Sequence, residues 1–236
     1  MDESTKNQLI KASDLLIDAD NWASVELLWK PYLDQGDLEA RAQLACLYVN
    51  NGFDEGEEKN HQMESLLRET AEVGQPDAMY WFAFNVLRDG IEHDEMVKRA
   101  AERGCIEAQR NLGVCYATGD WTGPTDQALA VQWYRRAAER GHDDAQYDLG
   151  FMIILGEGTR ADATEGLRWL HLSAEQGNID AMRLLADLYE HGSYGAPQDA
   201  TKAAQWQRRY DEAYAVLENQ AQEMQKRIRE NESEGK

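Results

Sequence analysis

Residues 104–141 read GCIEAQRNLGVCYATGDWTGPTDQALAVQWYRRAAERG. Two helical stripes lie in this stretch, one on either side of a loop. Ala108, Leu112, Gly113 and Tyr116 stand at 0, +4, +5 and +8, a spacing that lines up on one face of a helix. The small residue at +5 lets a neighbouring helix approach closely. Beyond the loop, Asp126 takes the place of an N-cap, and Trp133, Tyr134, Ala137 and Ala138 lead to Gly141, a residue suited to a left-handed helix stop. The stretch predicts helix, loop, helix and a glycine turn.

The same plan recurs along the chain. Gly-x-x-(Asp or Glu)-Ala appears at Gly36, Gly74, Gly104, Gly141 and Gly177, with spacings of 38, 30, 37 and 36 residues. Leu149, Gly150 and Ile153 repeat the stripe after Ala145, as do Leu185, Ala186 and Tyr189 after Ala181. The earlier copies are Leu44, Ala45 and Tyr48 after Ala40, and Phe82, Ala83 and Val86 after Ala78. Asp162 precedes Trp169, and Asp199 precedes Trp206, by the same seven residues that separate Asp126 from Trp133. A period this long and regular predicts a stack of similar units rather than one closed core.

This pattern resembles the Sel-one-like repeat family, a relative of the tetratricopeptide repeats. The motif A-x-x-x-L-G-x-x-Y-x-x-G, continuing to D-x-x-x-A-x-x-W-Y-x-x-A-A-x-x-G, is met by Ala108, Leu112, Gly113, Tyr116, Gly119, Asp126, Ala130, Trp133, Tyr134, Ala137, Ala138 and Gly141. Residues 141–177 match nearly as well, and 177–210 match with Gln207 in place of the aromatic. The likeness fades towards the N-terminus: 74–104 lack most of the inter-helix loop and carry Met96 where Trp belongs, and 36–74 carry the acidic loop Asp54-Glu55-Gly56-Glu57-Glu58. The resemblance implies an all-α, right-handed α-α superhelix of about six antiparallel hairpins. Its expected parts are an N-terminal capping hairpin (1–35), repeats at 36–73, 74–103, 104–140, 141–176 and 177–210, and a C-terminal extension (211–236). Pro31 stands inside the second helix of the first hairpin, where it can kink it.

The last helix keeps an apolar stripe through Trp206, Tyr210, Ala213, Leu217, Ala221, Met224 and Ile228. One reading is a long cap over the final hydrophobic face; the other is a helix for dimerisation or partner binding.

Function follows from the surface. In tetratricopeptide-type stacks the first helix of each unit lines the concave side, which places Tyr80, Phe84, Tyr147 and Phe151 there, flanked by Arg110 and Arg183. Aromatic and Arg side chains are the usual anchors of protein interfaces. The alternative is that these rings pack between neighbouring units, and a one-residue slip in the irregular second unit would put Trp81 in place of Phe84. The acids before each repeat alanine (Glu39, Asp77, Glu107, Asp144, Asp180) fit the first helical turn, where they complement the dipole and free N–H groups.

The formal net charge of −20 serves solubility or a basic partner, and disfavours nucleic acid and anionic lipid. No apolar run approaches a membrane span. The start Met1-Asp2-Glu3-Ser4 does not read as a signal peptide, which points to the cytoplasm. Cys46, Cys105 and Cys115 are irregularly placed, unlike the secreted branch of the family with a Cys pair in every repeat.

No catalytic, metal or cofactor pattern emerges. There is no Walker-type loop, H-E-x-x-H or G-x-S-x-G, and the five histidines lack ligand spacing. Ser233…Lys236, the single Ser-x-x-Lys, sits in a polar tail where it reads as chance. The expected function is a non-catalytic, bacterial-type scaffold or adaptor binding a protein segment; the alternative is an acidic immunity or antitoxin-like protein that neutralises a toxic effector.

Overall fold

The computed structural model describes residues 3–18, 22–50, 57–120 and 123–234. The Asp54-Glu55-Gly56 part of the acidic loop, Met1, Asp2 and Lys236 lie outside these, as do the side chains of Ala221, Met224 and Ile228.

The described residues form twelve α-helices and no strand. They pair as α1 (Glu3–Asp18) with α2 (Trp22–Leu33), α3 (Leu38–Asn50) with α4 (Glu57–Glu72), and α5 (Pro76–Phe82) with α6 (Ile91–Glu102). Then follow α7 (Ile106–Thr118) and α8 (Gln127–Glu139), α9 (Asp143–Leu155) and α10 (Ala163–Glu175), and α11 (Ile179–His191) and α12 (Ala200–Glu234). Six hairpins and a long last helix are the architecture the repeat period predicts. The chain divides into two compact units, Met1–Leu112 and Gly113–Lys236. Within each, helices pack on their neighbours in sequence, as in a solenoid: α3 touches α4 and α5, and α10 touches α9 and α11.

Five glycine turns join successive hairpins, and they are the same turn. Gly141 adopts φ +97°, its N–H bonds the Ala138 carbonyl, and the N–H of His142 bonds Ala137. Gly36, Gly74, Gly104 and Gly177 repeat both bonds at their own positions. This is the Schellman stop, which satisfies the last carbonyls of one helix with the residue that opens the next. Asp37 and Asn178 complete the junction by accepting N–H bonds from the following helix at 3.0 Å. Those donors, with Ala40 first among them, hold the Asp37 carboxyl below its usual range.

The loops inside the hairpins are equally regular in the second unit. The N–H groups of Asp126, Asp162 and Asp199 bond the carbonyls of Tyr116, Ile153 and Tyr189. Their carboxylates cap α8, α10 and α12 by accepting backbone N–H bonds, the first two at 2.9 Å. The small residue at +5 is needed where α9 meets α10: a Cβ on Gly150 would stand 2.9 Å from the Gly166 carbonyl oxygen. Gly113 is constrained in the same way by the ring of Tyr134.

The expected equivalence of Trp133 and Trp169 does not hold. Trp169 is buried, its indole N–H directed at Glu165, whereas Trp133 is half-buried with the Arg136 guanidinium 4.3 Å from its ring centre. In the first unit α2 runs on through Pro31 to Leu33, and Trp29 is fully buried with its N–H donated to Ser13.

The irregular unit is resolved by a change of helix type. After Phe82 the chain makes a π-turn over Ala83–Leu87, closed by the Arg88 N–H on the Ala83 carbonyl, and Arg88 takes φ +64°. An extra residue per turn and a left-handed residue thus replace the missing loop.

Candidate functional site

The six candidate residues fall into two groups, one in each compact unit. In the first unit Tyr80 and Phe84 lie one turn apart on α5 and the π-turn, ring centres 4.7 Å apart. Phe84 also meets the buried His93 of α6 edge-on at 4.7 Å, and Trp81 meets Tyr80 edge-on at 5.0 Å. Phe84 nevertheless remains 37% exposed. Tyr80 is half-buried; burial pushes its phenol up to about 12, the neighbouring acidic groups Cys105 and Glu107 adding to this, while Arg110 and a hydrogen bond with Asn111 oppose it. Arg110 of α7 is thus close enough to Tyr80 to act on its phenol. The π-turn begins after Phe82, so Tyr80 and Phe84 keep a spacing at which their rings meet, with Trp81 between them in sequence.

In the second unit Tyr147 and Phe151 repeat the pair one turn apart on α9. Their rings are nearly parallel, 9° between planes, with centres 6.2 Å apart. Tyr147 packs against the core shared by α9, α10, α11 and α12, whereas Phe151 is 38% exposed. Burial raises the Tyr147 phenol, with the Asp180 and Asp148 carboxylates adding to it and Arg183 opposing. Arg183 bonds Asp180 at 3.1 Å on the open face of α11. Each group is therefore a Tyr–Phe pair with an Arg from the next first helix.

The equivalent positions in the first repeat behave differently. Ala42 and Cys46 occupy them and are buried, so the inner-face assignment does not give an open surface there. Burial drives the Cys46 thiol upward, as it does that of Cys105, so both remain protonated small apolar groups. Cys105 lies in the turn before α7, its sulfur 3.5 Å from the Ala108 N–H and 3.4 Å from Glu107.

Sequence patterning missed the polar clamps that hold successive hairpins together. Gln109 and Gln146, each directly after its repeat alanine, donate at 3.1 Å to the carbonyls of Ala101 and Ala138 in the preceding second helix. Gln176 in turn donates to Gln146 at 2.8 Å. Arg135 of α8 bonds Glu165 of α10 at 2.6 Å, and this arginine is the chief reason the Glu165 carboxyl stays below its ordinary range. A glutamine beside the repeat alanine in both 104–140 and 141–176 was the available signal.

Residues 106–142, 143–178 and 179–208 match the family model of the Sel1 repeat, so the chain carries three Sel1 repeats in tandem. The match begins where the regular loops begin; the π-turn hairpin and those before it lie outside it. The chain is similar to a Sel1 repeat protein from Oxalobacter formigenes, 27% identical, over 80% of this chain and 79% of that one with a TM-score of 0.67. It shares the fold of an immunity protein from Pseudomonas aeruginosa, at 19% identity over 91% of this chain and 83% of that one with a TM-score of 0.61. A second immunity protein from that organism aligns at 17% identity over 90% and 83%, TM-score 0.57. No curated protein sequence matches the chain. Among the described residues, no helix is long and apolar enough to cross a membrane.

Proposed function

We propose that this chain is a non-catalytic, cytoplasmic adaptor of bacterial type that grips a partner polypeptide with the aromatic pairs of its first helices. Tyr80, Phe84 and Arg110 form one contact, and Tyr147, Phe151 and Arg183 the other. The observation that carries this reading is the exposure of Phe84 and Phe151, at 37% and 38%, in two repeats whose other stripe residues are almost all buried. A half-exposed ring supported from below by a tyrosine is ready to be covered by a partner at little ordering cost. Arg183 sits with an acid at hand, so it can exchange Asp180 for a partner carboxylate or backbone carbonyl.

A second reading is favoured by the net charge of −20: neutralisation of a basic toxic effector by direct binding. Pull-down from the native cell decides between them. Several assembly components recovered together support the adaptor; one basic, toxic protein in equal amount supports the inhibitor. For either, Tyr147→Ala with Phe151→Ala should weaken capture while leaving helicity intact. Unchanged capture by that variant overturns the aromatic surface.

The exposed Tyr214, Val216 and Leu217 extend along α12 beyond the residues that cap α11. They are proposed as a contact for a second copy of the chain, which sedimentation of the full chain and of one truncated after Glu218 would test; identical monomeric behaviour of both excludes it.

A further inference from the structure

Arg103, at the end of α6, donates to the Gly74 carbonyl after α4 at 3.0 Å, but these second helices of the first unit lack the side-chain bridge that joins α8 to α10. In the second unit Arg135, six residues before its glycine turn, bridges to Glu165, twelve residues before the next, and Trp169 fills the space beneath. The equivalent residues in the first unit are Arg68, Glu92 and Met96. Arg68 instead bonds Glu64 at 3.1 Å and lies over the ring of Phe82, 5.1 Å from its centre. Glu92 has no ion-pair or hydrogen-bond partner among the described residues, and Met96 is slimmer than an indole.

What remains is a cleft of about 430 Å³ between α4, the π-turn and α6. Phe82, Leu87, Ile91 and Met96 supply its apolar walls, and Ile91 is 87% exposed at the mouth. The volume lies within the roughly 300–1,000 Å³ typical of binding clefts. The rim is acidic: Glu72, Glu92 and Glu95 are exposed, with Arg99 as the one lining arginine not already committed. An apolar floor under three carboxylates and one free guanidinium, a net negative rim, favours a large apolar side chain carried between cations, which gain more from the acids than they lose beside the single arginine.

We propose that this cleft is a second docking site, distinct from the aromatic pairs, which takes a large apolar side chain from a partner segment whose neighbouring residues are Lys or Arg. The test titrates full-length protein, labelled at its Ile and Met methyl groups, with three short capped peptides. One carries central leucines flanked by lysines; in the second serines replace the leucines; in the third glutamates replace the lysines. The first should shift the Ile91 and Met96 methyl signals saturably and bind at least about tenfold more tightly than the other two. Met96→Trp should fill the cleft and abolish the Ile91 shift without lowering Tm. Glu92→Lys with Glu95→Lys, at exposed positions, should weaken binding about tenfold with Tm unchanged, and carries the test if the tryptophan variant does not fold. Tyr147→Ala with Phe151→Ala should leave this binding as it is. Equal shifts with the glutamate peptide, undiminished binding to the Glu92/Glu95 variant, or no shift at Ile91 with millimolar lysine–leucine peptide would overturn the proposal.

Discussion

Individual residues in this protein answer to contacts that sequence spacing only half specifies. Gly150 and Ala186 hold the same +5 position, yet a methyl is accommodated at Ala186 and would strike the Gly166 carbonyl at Gly150. Gly150→Ala is expected to cost about 1–3 kcal/mol by overpacking a rigid backbone contact, read from urea unfolding. Trp169→Ala should cost about 3–5 kcal/mol as the loss of a buried large aromatic, and Trp133→Ala clearly less, since that ring is only partly buried and faces a guanidinium. Equal losses would show that Trp133 is as buried as its counterpart. The tryptophan period was legible; the difference between the two was not, because it depends on what the next hairpin lays over each ring. Glu165 titrates with a folded value below its unfolded one, held there first by Arg135. Its contribution is therefore fully present above about pH 4.3 and disappears as the pH falls through the lowered value. The Tm gap between wild type and Glu165→Gln should shrink accordingly on acidification; a gap that persists in acid would mean that the carboxylate charge is irrelevant.

At the scale of the element, start and stop signals were the most readable part of the chain. Asp126, Asp162 and Asp199 were expected as caps, and their carboxylates do accept N–H bonds from α8, α10 and α12. The glycines end helices as Schellman turns at all five positions, because only a residue at ease with positive φ can supply that geometry. Asp162→Ala should lower stability by about 1 kcal/mol, whereas an alanine at exposed Glu157 nearby should leave it unchanged. The π-turn at Ala83–Leu87 was not legible. The sequence shows a loop too short for its period, and several backbone solutions can absorb such a deficit; the choice depends on what neighbouring helices offer, such as the cover that Phe82 finds under the Arg68 guanidinium of α4. The buried Ala42 and Cys46 were missed for a similar reason, since a small residue on a helix face gives no sign of whether another element covers it.

For the molecule as a whole, charge and repetition set the expectations. A chain of net charge −20 should meet a basic partner faster at low ionic strength, and raising salt from about 0.05 M to 0.5 M should lower the association rate; a salt-independent rate would assign the acids to solubility alone. The sequence by itself determined that this protein is a series of helical hairpins, how many, and where most begin and end, because period, caps and glycine stops are local properties carried by a few residues each. The tertiary structure alone decided which aromatics stay exposed, which indole is sealed, how glutamines and an Arg–Glu pair tie hairpins together, and that a cleft stands open where Met96 replaces Trp. Those outcomes depend on the atoms that arrive from the neighbouring hairpin some thirty-odd residues away, and no pattern within one repeat encodes what its neighbour will cover.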